Sequence, residues 1–140
     1  MNFKLEQNEQ YAVIELNESA LTVDNAGEFE DVVRGLFRKG YGNMIVEFNA
    51  IEELDGHGVA AIRKANKICL NEVGLFVVVT KNEEIIDRLD NAKIEDLTIM
   101  PTVQEAIDAI FLNELENDFQ EEEDEFGFGG EGEGASEDDY

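Results

Sequence analysis

Residues 44–70 read MIVEFNAIEELDGHGVAAIRKANKICL, and this stretch decides the fold of the chain. The run Met44–Phe48 is apolar except for Glu47, which is typical of a strand buried on both faces. After a polar connection, Asp55-Gly56-His57-Gly58 leads into a segment whose apolar residues recur at helical spacing. Asp55 is the predicted N-cap of this helix, because its carboxylate can accept hydrogen bonds from the unpaired amides of the first turn. We therefore expect a buried strand that delivers the chain to a helix N-terminus, and the functional site at that point.

The rest of the chain alternates between strand and helix patterns. Further apolar runs predict strands near residues 3–6, 11–16, 75–79 and 97–99. Apolar residues three and four apart predict helices between these strands and after the last one, where Thr102 and Glu105 form a predicted capping box. The order β-β-α-β-α-β-α-β-α predicts an α/β fold with a mixed, mostly parallel sheet. We expect its four helices to lie on one face of the sheet.

Charge divides the chain into two parts. The 140 residues carry a net charge of -24, and all ten Lys and Arg precede Asn113, whereas thirteen Asp and Glu follow it. Apolar periodicity also fails there, and the sequence becomes rich in Gly and Glu. Such a segment has too little apolar surface to offset the entropy lost on ordering. The sequence predicts one folded domain over residues 1–112 and a disordered acidic tail over residues 113–140.

Composition excludes several kinds of partner and location. Non-specific nucleic-acid binding and binding to anionic membranes both depend on Lys and Arg, which are scarce here. The only cysteine, Cys69, lies on the apolar side of the second helix, so we expect a buried thiol and a reducing compartment. No apolar run reaches transmembrane length, and the first residues do not form a signal peptide. The sequence predicts a cytoplasmic protein without nucleic-acid or membrane partners.

Residues suited to catalysis are few. One histidine, one cysteine and two serines, Ser19 and Ser136, offer no obvious catalytic triad. No His and Cys cluster has the spacing of a metal site, and the acidic run 121–125 lacks the pattern of a calcium-binding loop. The glycines of the tail are not followed by Lys-Ser or Lys-Thr, as a phosphate-binding loop would require. We therefore expect a protein that is not an enzyme and needs no cofactor or metal.

Residues 3–112 resemble the STAS family, the domain of bacterial anti-sigma factor antagonists. The most specific marker is the turn before the second helix, where the family typically has Asp-Ser-Ser/Thr-Gly followed by small apolar residues. In this chain Asp55 and Gly58 match that pattern, while Gly56 and His57 replace both hydroxyl residues. The closing segment 97–102, which leads into a helix, is also typical of the family.

The resemblance implies a STAS-like fold and a switch that works by partner exchange. Such antagonists bind an anti-sigma factor that is also a serine kinase, and thereby free the sigma factor. In the family, phosphorylation of the second hydroxyl residue of the turn breaks the complex, because it adds a dianionic group at the contact. In this chain His57 stands at that position. This chain has no Ser or Thr between Val23 and Val79. We therefore expect a regulatory binding module that a serine kinase does not switch.

The predicted partner-binding residues are Asp55, Gly56, His57 and Gly58 in the turn, together with Arg63, Lys64 and Lys67 on the following helix. For His57 the alternative is an ordinary surface histidine, and for the three basic residues it is the solvated face of a helix. We also expect Gly58 to pack the start of the helix against the central strand. Two other functions remain open: a scaffolding subunit that assembles with other STAS proteins or with itself, and a carrier of a small apolar ligand.

Overall fold

In the computed structural model, the backbone is described for residues 1–126 and the side chains for residues 1–118. Eleven elements follow one another in the described part of the chain. They are β1 (Phe3–Gln7), β2 (Ala12–Leu16), β3 (Ala20–Leu21), α1 (Ala26–Arg38), β4 (Met44–Glu47), β5 (Glu53–Leu54), α2 (Gly56–Asn71), β6 (Phe76–Val79), α3 (Glu83–Asn91), β7 (Thr98–Met100) and α4 (Val103–Phe126).

Five of the strands form the main sheet, in the order β1-β2-β4-β6-β7. β1 runs antiparallel to β2, and every other pairing in this sheet is parallel. The predicted mixed, mostly parallel sheet with four helices is confirmed. β3 and β5 form a separate parallel pair that the sequence did not predict. Each has only two residues, which is too short to display an alternating pattern.

The expectation that all four helices share one face is wrong. Side chains that alternate along the strands fall into two buried clusters, one on each face of the sheet. Met44 and Val46 lie in the cluster that includes α1, α2 and α3, whereas Ile45 packs with Ala106 and Ile110 of α4. Because β4 is buried on both faces, each face has to be covered, and α4 covers the second.

Two acidic residues lie on the face of the sheet that α4 covers, since they alternate along their strands with Ile14 and Val46 of the other face. Glu15 of β2 and Glu47 of β4 are directly opposite each other in the register of the two strands. Partial burial raises the pKa of Glu47, and the neighbouring carboxylates Glu15 and Glu6 raise it further. A charged Glu47 is therefore less favourable in the folded chain than in the unfolded chain.

A strained residue lies two positions after the end of α2. Val73 has a φ of 60°, a left-handed backbone conformation that β-branched residues rarely adopt. The next amide, of Gly74, donates to the carbonyl oxygen of Cys69 at 2.8 Å, as in a Schellman motif. The Cys69 side chain is fully buried, as expected, and burial raises the pKa of its thiol to about 12. It is therefore a structural rather than a reactive thiol.

The predicted boundary at residue 113 does not coincide with the end of an element. Residues 1–110 form one compact unit, and a second unit begins at Phe111. Helical backbone continues through Phe126. Leu, Glu and Gln, which are frequent there, are good helix formers even where no core pattern is present. Residues 127–140 lie outside the described part, and the predicted disordered tail over residues 113–140 stays a prediction.

Within the described residues, none of the helices combines the length and apolar character needed to span a bilayer.

Candidate partner-binding site

The site begins where Asp55 caps α2. Its Oδ1 accepts a hydrogen bond from the Gly58 amide at 2.9 Å, so the N-cap predicted from the sequence is confirmed. The second carboxylate oxygen, Oδ2, accepts from the amide of Val23 at 3.1 Å. Val23 belongs to the connection between β3 and α1, and it lies 32 residues earlier in the chain. Asp55 thus joins two segments that are distant in sequence.

The charge of Asp55 follows from these bonds. The Gly58 amide is the main cause that lowers the pKa of this carboxyl, and the amide of Val23 lowers it further. Asp55 is therefore ionised at neutral pH. The bonds to Gly58 and Val23 both come from backbone amides, so these two bonds do not use the side chain at position 57.

Gly58 is required by the space around it. A Cβ at this position would overlap the carbonyl oxygen of Leu21 and would lie 2.6 Å from Cδ1 of Leu54. The expected close packing is present, but its neighbours are β3 and β5 rather than the central strand. A Cβ at Gly56, two residues earlier, would meet nothing within 4 Å. Only the second glycine of the turn is therefore a steric necessity.

His57 lies on the surface between these two glycines. Its side chain is 67% exposed, and its Nδ1 is 3.7 Å from Oδ2 of Asp55, which is too long for a hydrogen bond. Val23, on the other segment that Asp55 holds, is also exposed, at 60%. The turn thus presents an imidazole and an isopropyl group beside the amides that begin a helix.

The three basic residues of α2 do not form one patch. Arg63 donates to the carbonyl oxygen of Ala92, at the end of α3, at 2.9 Å. Lys64 points to the other side, where its Nζ is 3.3 Å from Oε1 of Glu30 in α1. Lys67 is exposed. Arg63 and Lys64 therefore contact neighbouring helices, which agrees with the alternative that they belong to the ordinary surface of α2.

A groove of about 450 Å³ lies beside the start of α2, with Gly56 and Val59 on one side and residues of α3 on the other. Arg88 and Asn91 contribute its polar lining. Sequence reasoning identified neither Val23 nor Arg88 as part of this region. No local signal marks them, because each reaches the site only through the packing of another element against α2.

The same packing brings a hydroxyl residue near the turn. Thr22 immediately precedes Val23, whose amide is bound by Asp55. The Thr22 hydroxyl accepts a long hydrogen bond, 3.4 Å, from the amide of Asp24. The turn itself contains no hydroxyl, but the segment tied to it does. Among the residues that the structure describes, no three His, Cys, Asp or Glu side chains are placed to hold a metal ion.

Comparison with solved structures finds the same fold in anti-sigma factor antagonists. A putative anti-sigma factor antagonist from Thermotoga maritima is 22% identical and superimposes with a TM-score of 0.64, covering 77% of this chain and 93% of its own. The anti-sigma factor antagonist SpoIIAA in its unphosphorylated form is 18% identical, with a TM-score of 0.63, covering 78% and 97%. The phosphorylated form of the Bacillus cell fate determinant SpoIIAA is 17% identical, with a TM-score of 0.61, covering 78% and 99%. At these identities the likeness concerns the fold.

Sequence comparison gives two further results. No curated protein sequence matches this chain significantly. The family model of the STAS domain, however, matches residues 2–106, which is most of the chain and includes every residue of the turn and of α2. The resemblance inferred from the sequence is confirmed, and the chain belongs to the STAS domain family.

Proposed function

We propose that this protein is a non-enzymatic regulatory binding module that acts like an anti-sigma factor antagonist. Its partner is an anti-sigma factor of the serine-kinase type or another STAS protein, and it works in the cytoplasm. The observation that carries the proposal is the intact start of α2. Asp55 caps the helix at 2.9 Å, and Gly58 packs where a side chain would not fit.

The proposed contact surface is the turn together with its neighbour in space. His57 and Val23 supply exposed side chains, and the adjoining groove supplies Arg88. A surface of this kind can bury apolar area and still offer hydrogen-bond donors at its rim. Arg63 and Lys64 have a smaller part in the proposal, because each already contacts a neighbouring helix.

The second part of the proposal is that the module is not switched by serine phosphorylation. Position 57, which corresponds to the phosphorylated hydroxyl residue of the family, carries an imidazole instead. A phosphate at position 57 would have a strong effect on binding. The His57 side chain lies 3.7 Å from the Asp55 carboxylate, so a dianionic group at this position would be repelled by Asp55 and would be costly to bury under a partner. The chain is thus held in a form equivalent to the unphosphorylated one.

Treatment of the purified chain with its cognate anti-sigma kinase and ATP tests this proposal. The intact mass of the wild type should stay unchanged, and binding measured by calorimetry should be the same before and after treatment. His57→Ser should gain one phosphate, and its binding should then weaken, because roughly 1.5 to 2 negative charges are added at the contact. His57→Ala is the matched control, since it removes the imidazole without creating an acceptor.

Fragmentation of the treated protein sharpens the result. A phosphate on the wild type within the turn, residues 55–58, would contradict the proposed loss of the switch. A phosphate on Thr22 would show instead that the switch has moved to the segment that Asp55 holds. Failure of the wild type to bind any such kinase would refute the antagonist-like function and would leave the scaffolding alternative, in which the partner is another STAS protein.

Two functions of other classes remain alternatives. A scaffolding subunit would self-assemble or join other STAS proteins, and a carrier would retain a small apolar molecule. A groove of about 610 Å³ beside the ends of β6 and β7 is open, and its otherwise largely apolar lining includes the charged residues Lys81, Glu83 and Asp90, which does not favour an apolar ligand. Native mass spectrometry separates the three functions. An oligomer supports the scaffold, a co-purifying small mass supports the carrier, and a bare monomer supports the antagonist-like module.

A further inference from the structure

The second unit of the chain exposes leucines on a helix. We name residues 111–126, the part of α4 that belongs to this unit, the acidic arm. Leu112 is 58% exposed and Leu115 is 53% exposed. Residues three apart lie on the same side of a helix, so the two side chains form one apolar stripe. The sequence then places Phe119 and Phe126 four and eleven residues after Leu115, which continues heptad spacing.

Exposed apolar residues at this spacing are typical of a helix that packs against another surface. Single exposed leucines are common on protein surfaces, but two neighbours on one side of a helix make a contact area. This stripe lies on a helix of the second unit.

The charge of the acidic arm restricts what can cover the stripe. Its sixteen residues contain eight Asp or Glu and neither Lys nor Arg. A second copy of the arm would bring eight more negative charges into contact, and nucleic acid or an anionic membrane would be repelled in the same way. Like charges four residues apart, as at Glu114 and Asp118, also destabilise an isolated helix. A cationic surface would remove this repulsion.

We propose that the acidic arm is a docking helix for a basic amphipathic helix of another protein. The partner's apolar face covers Leu112 and Leu115, and its Lys or Arg residues on either side of that face pair with the acids that border the stripe. The apolar contact provides much of the affinity, while the charges select a basic partner and speed its association. This docking surface is independent of the function proposed for the α2 turn, and it gives the protein a second point of attachment.

The test uses the full-length protein and two synthetic peptides of about 18 residues, long enough for several helical turns. Both contain the same numbers of Leu and Lys. One has leucines at amphipathic helical spacing, and the other has the same residues in scrambled order. Calorimetry should show that the amphipathic peptide binds at least about tenfold more tightly than the scrambled one, because only its leucines can cover the stripe together. Binding of both peptides should weaken with added salt.

The variant L112Q/L115Q isolates the apolar stripe. It keeps every charge, and Gln is a good helix former, so circular dichroism should match that of the wild type. We expect this variant to bind the two peptides equally well. V73N is the matched control, since it removes an exposed valine outside the arm, and it should retain the preference for the amphipathic peptide.

The proposal would be overturned if the wild type did not bind the amphipathic peptide, or if it bound both peptides equally well. It would also be overturned if L112Q/L115Q kept the preference for the amphipathic peptide. Sedimentation of the protein without peptide gives a fourth test. A dimer that L112Q/L115Q abolishes would mean that a second copy, rather than a basic partner, covers the stripe.

Discussion

Replacement of Gly58 by alanine is the most direct test of how the site is built. The added methyl carbon would overlap the carbonyl oxygen of Leu21 and lie 2.6 Å from Cδ1 of Leu54. The Leu54 side chain can rotate away, but the Leu21 carbonyl belongs to the backbone of β3, so either β3 or the start of α2 has to move. Overpacking of this kind costs about 1–3 kcal/mol. Against it stands a gain of roughly 0.5–1 kcal/mol for Ala over Gly within a helix.

The matched control separates these two contributions. Gly56 is two residues away in the same helical turn, and a Cβ there would meet nothing within 4 Å. Gly56→Ala should therefore leave stability unchanged or raise it slightly. Gly58→Ala should lower the urea midpoint, and at a typical dependence on urea of 1–3 kcal/mol per molar the shift is on the order of 1 M. Equilibrium unfolding followed by circular dichroism measures both variants.

A Gly58→Ala midpoint equal to that of Gly56→Ala would refute the reasoning. It would mean that the turn has room for a side chain at position 58, and that the glycine is not fixed by its contact with β3. A larger side chain at position 58 tests the same contact a second time. Gly58→Leu should be destabilised at least as much as Gly58→Ala, unless the start of α2 has moved away from β3.

Three further outcomes are expected. The raised pKa of Glu47 means that this carboxyl holds its proton more tightly in the folded chain than in the unfolded chain. Wild-type stability should therefore fall as the pH rises above the ordinary pKa of 4.5, and Glu47→Gln should be more stable than the wild type at pH 7 but not near pH 4. Val73→Gly should raise the free energy of unfolding by about 1 kcal/mol, since glycine tolerates a left-handed backbone, and an unchanged denaturation midpoint would contradict the strain. Asp55→Ala should speed hydrogen exchange at the Val23 amide, whereas His57→Ala should not, and equal exchange in both variants would deny the bond between the segments.

The main sheet could be predicted because its strands carry strong local patterns. Met44–Phe48 and the run 75–79 are apolar enough to be recognised as buried strands, and the structure places β4 and β6 there. The same apolar runs also indicated that helices lie on both faces of the sheet, which the prediction of helices on one face did not take into account. A strand that is apolar throughout needs cover on both faces, so at least one helix had to lie opposite the others, and α4 does.

The remainder of the site depends on contacts between segments far apart in sequence. Asp55 was predicted as a cap because its partner Gly58 is three residues away, within the reach of a local motif. Its bond to Val23 spans 32 residues and involves a backbone amide, which leaves no trace in residue types. For the same reason, the sequence could not show that the basic residues of α2 point to different sides of the helix. Arg63 and Lys64 are adjacent in sequence, yet each contacts a different helix.

Under the proposed function, switching can be lost at the α2 turn while binding is kept, because of the interactions that hold the turn. The turn is fixed by a carboxylate that binds two backbone amides, and by a glycine that fits against the backbone of β3. None of these interactions uses the side chain at position 57, which is 67% exposed. Replacing a hydroxyl there removes the acceptor for phosphate but leaves the shape of the surface intact. Under the proposed function, the turn with His57 therefore keeps its partner-binding surface, and phosphorylation of this residue by a serine kinase no longer controls it.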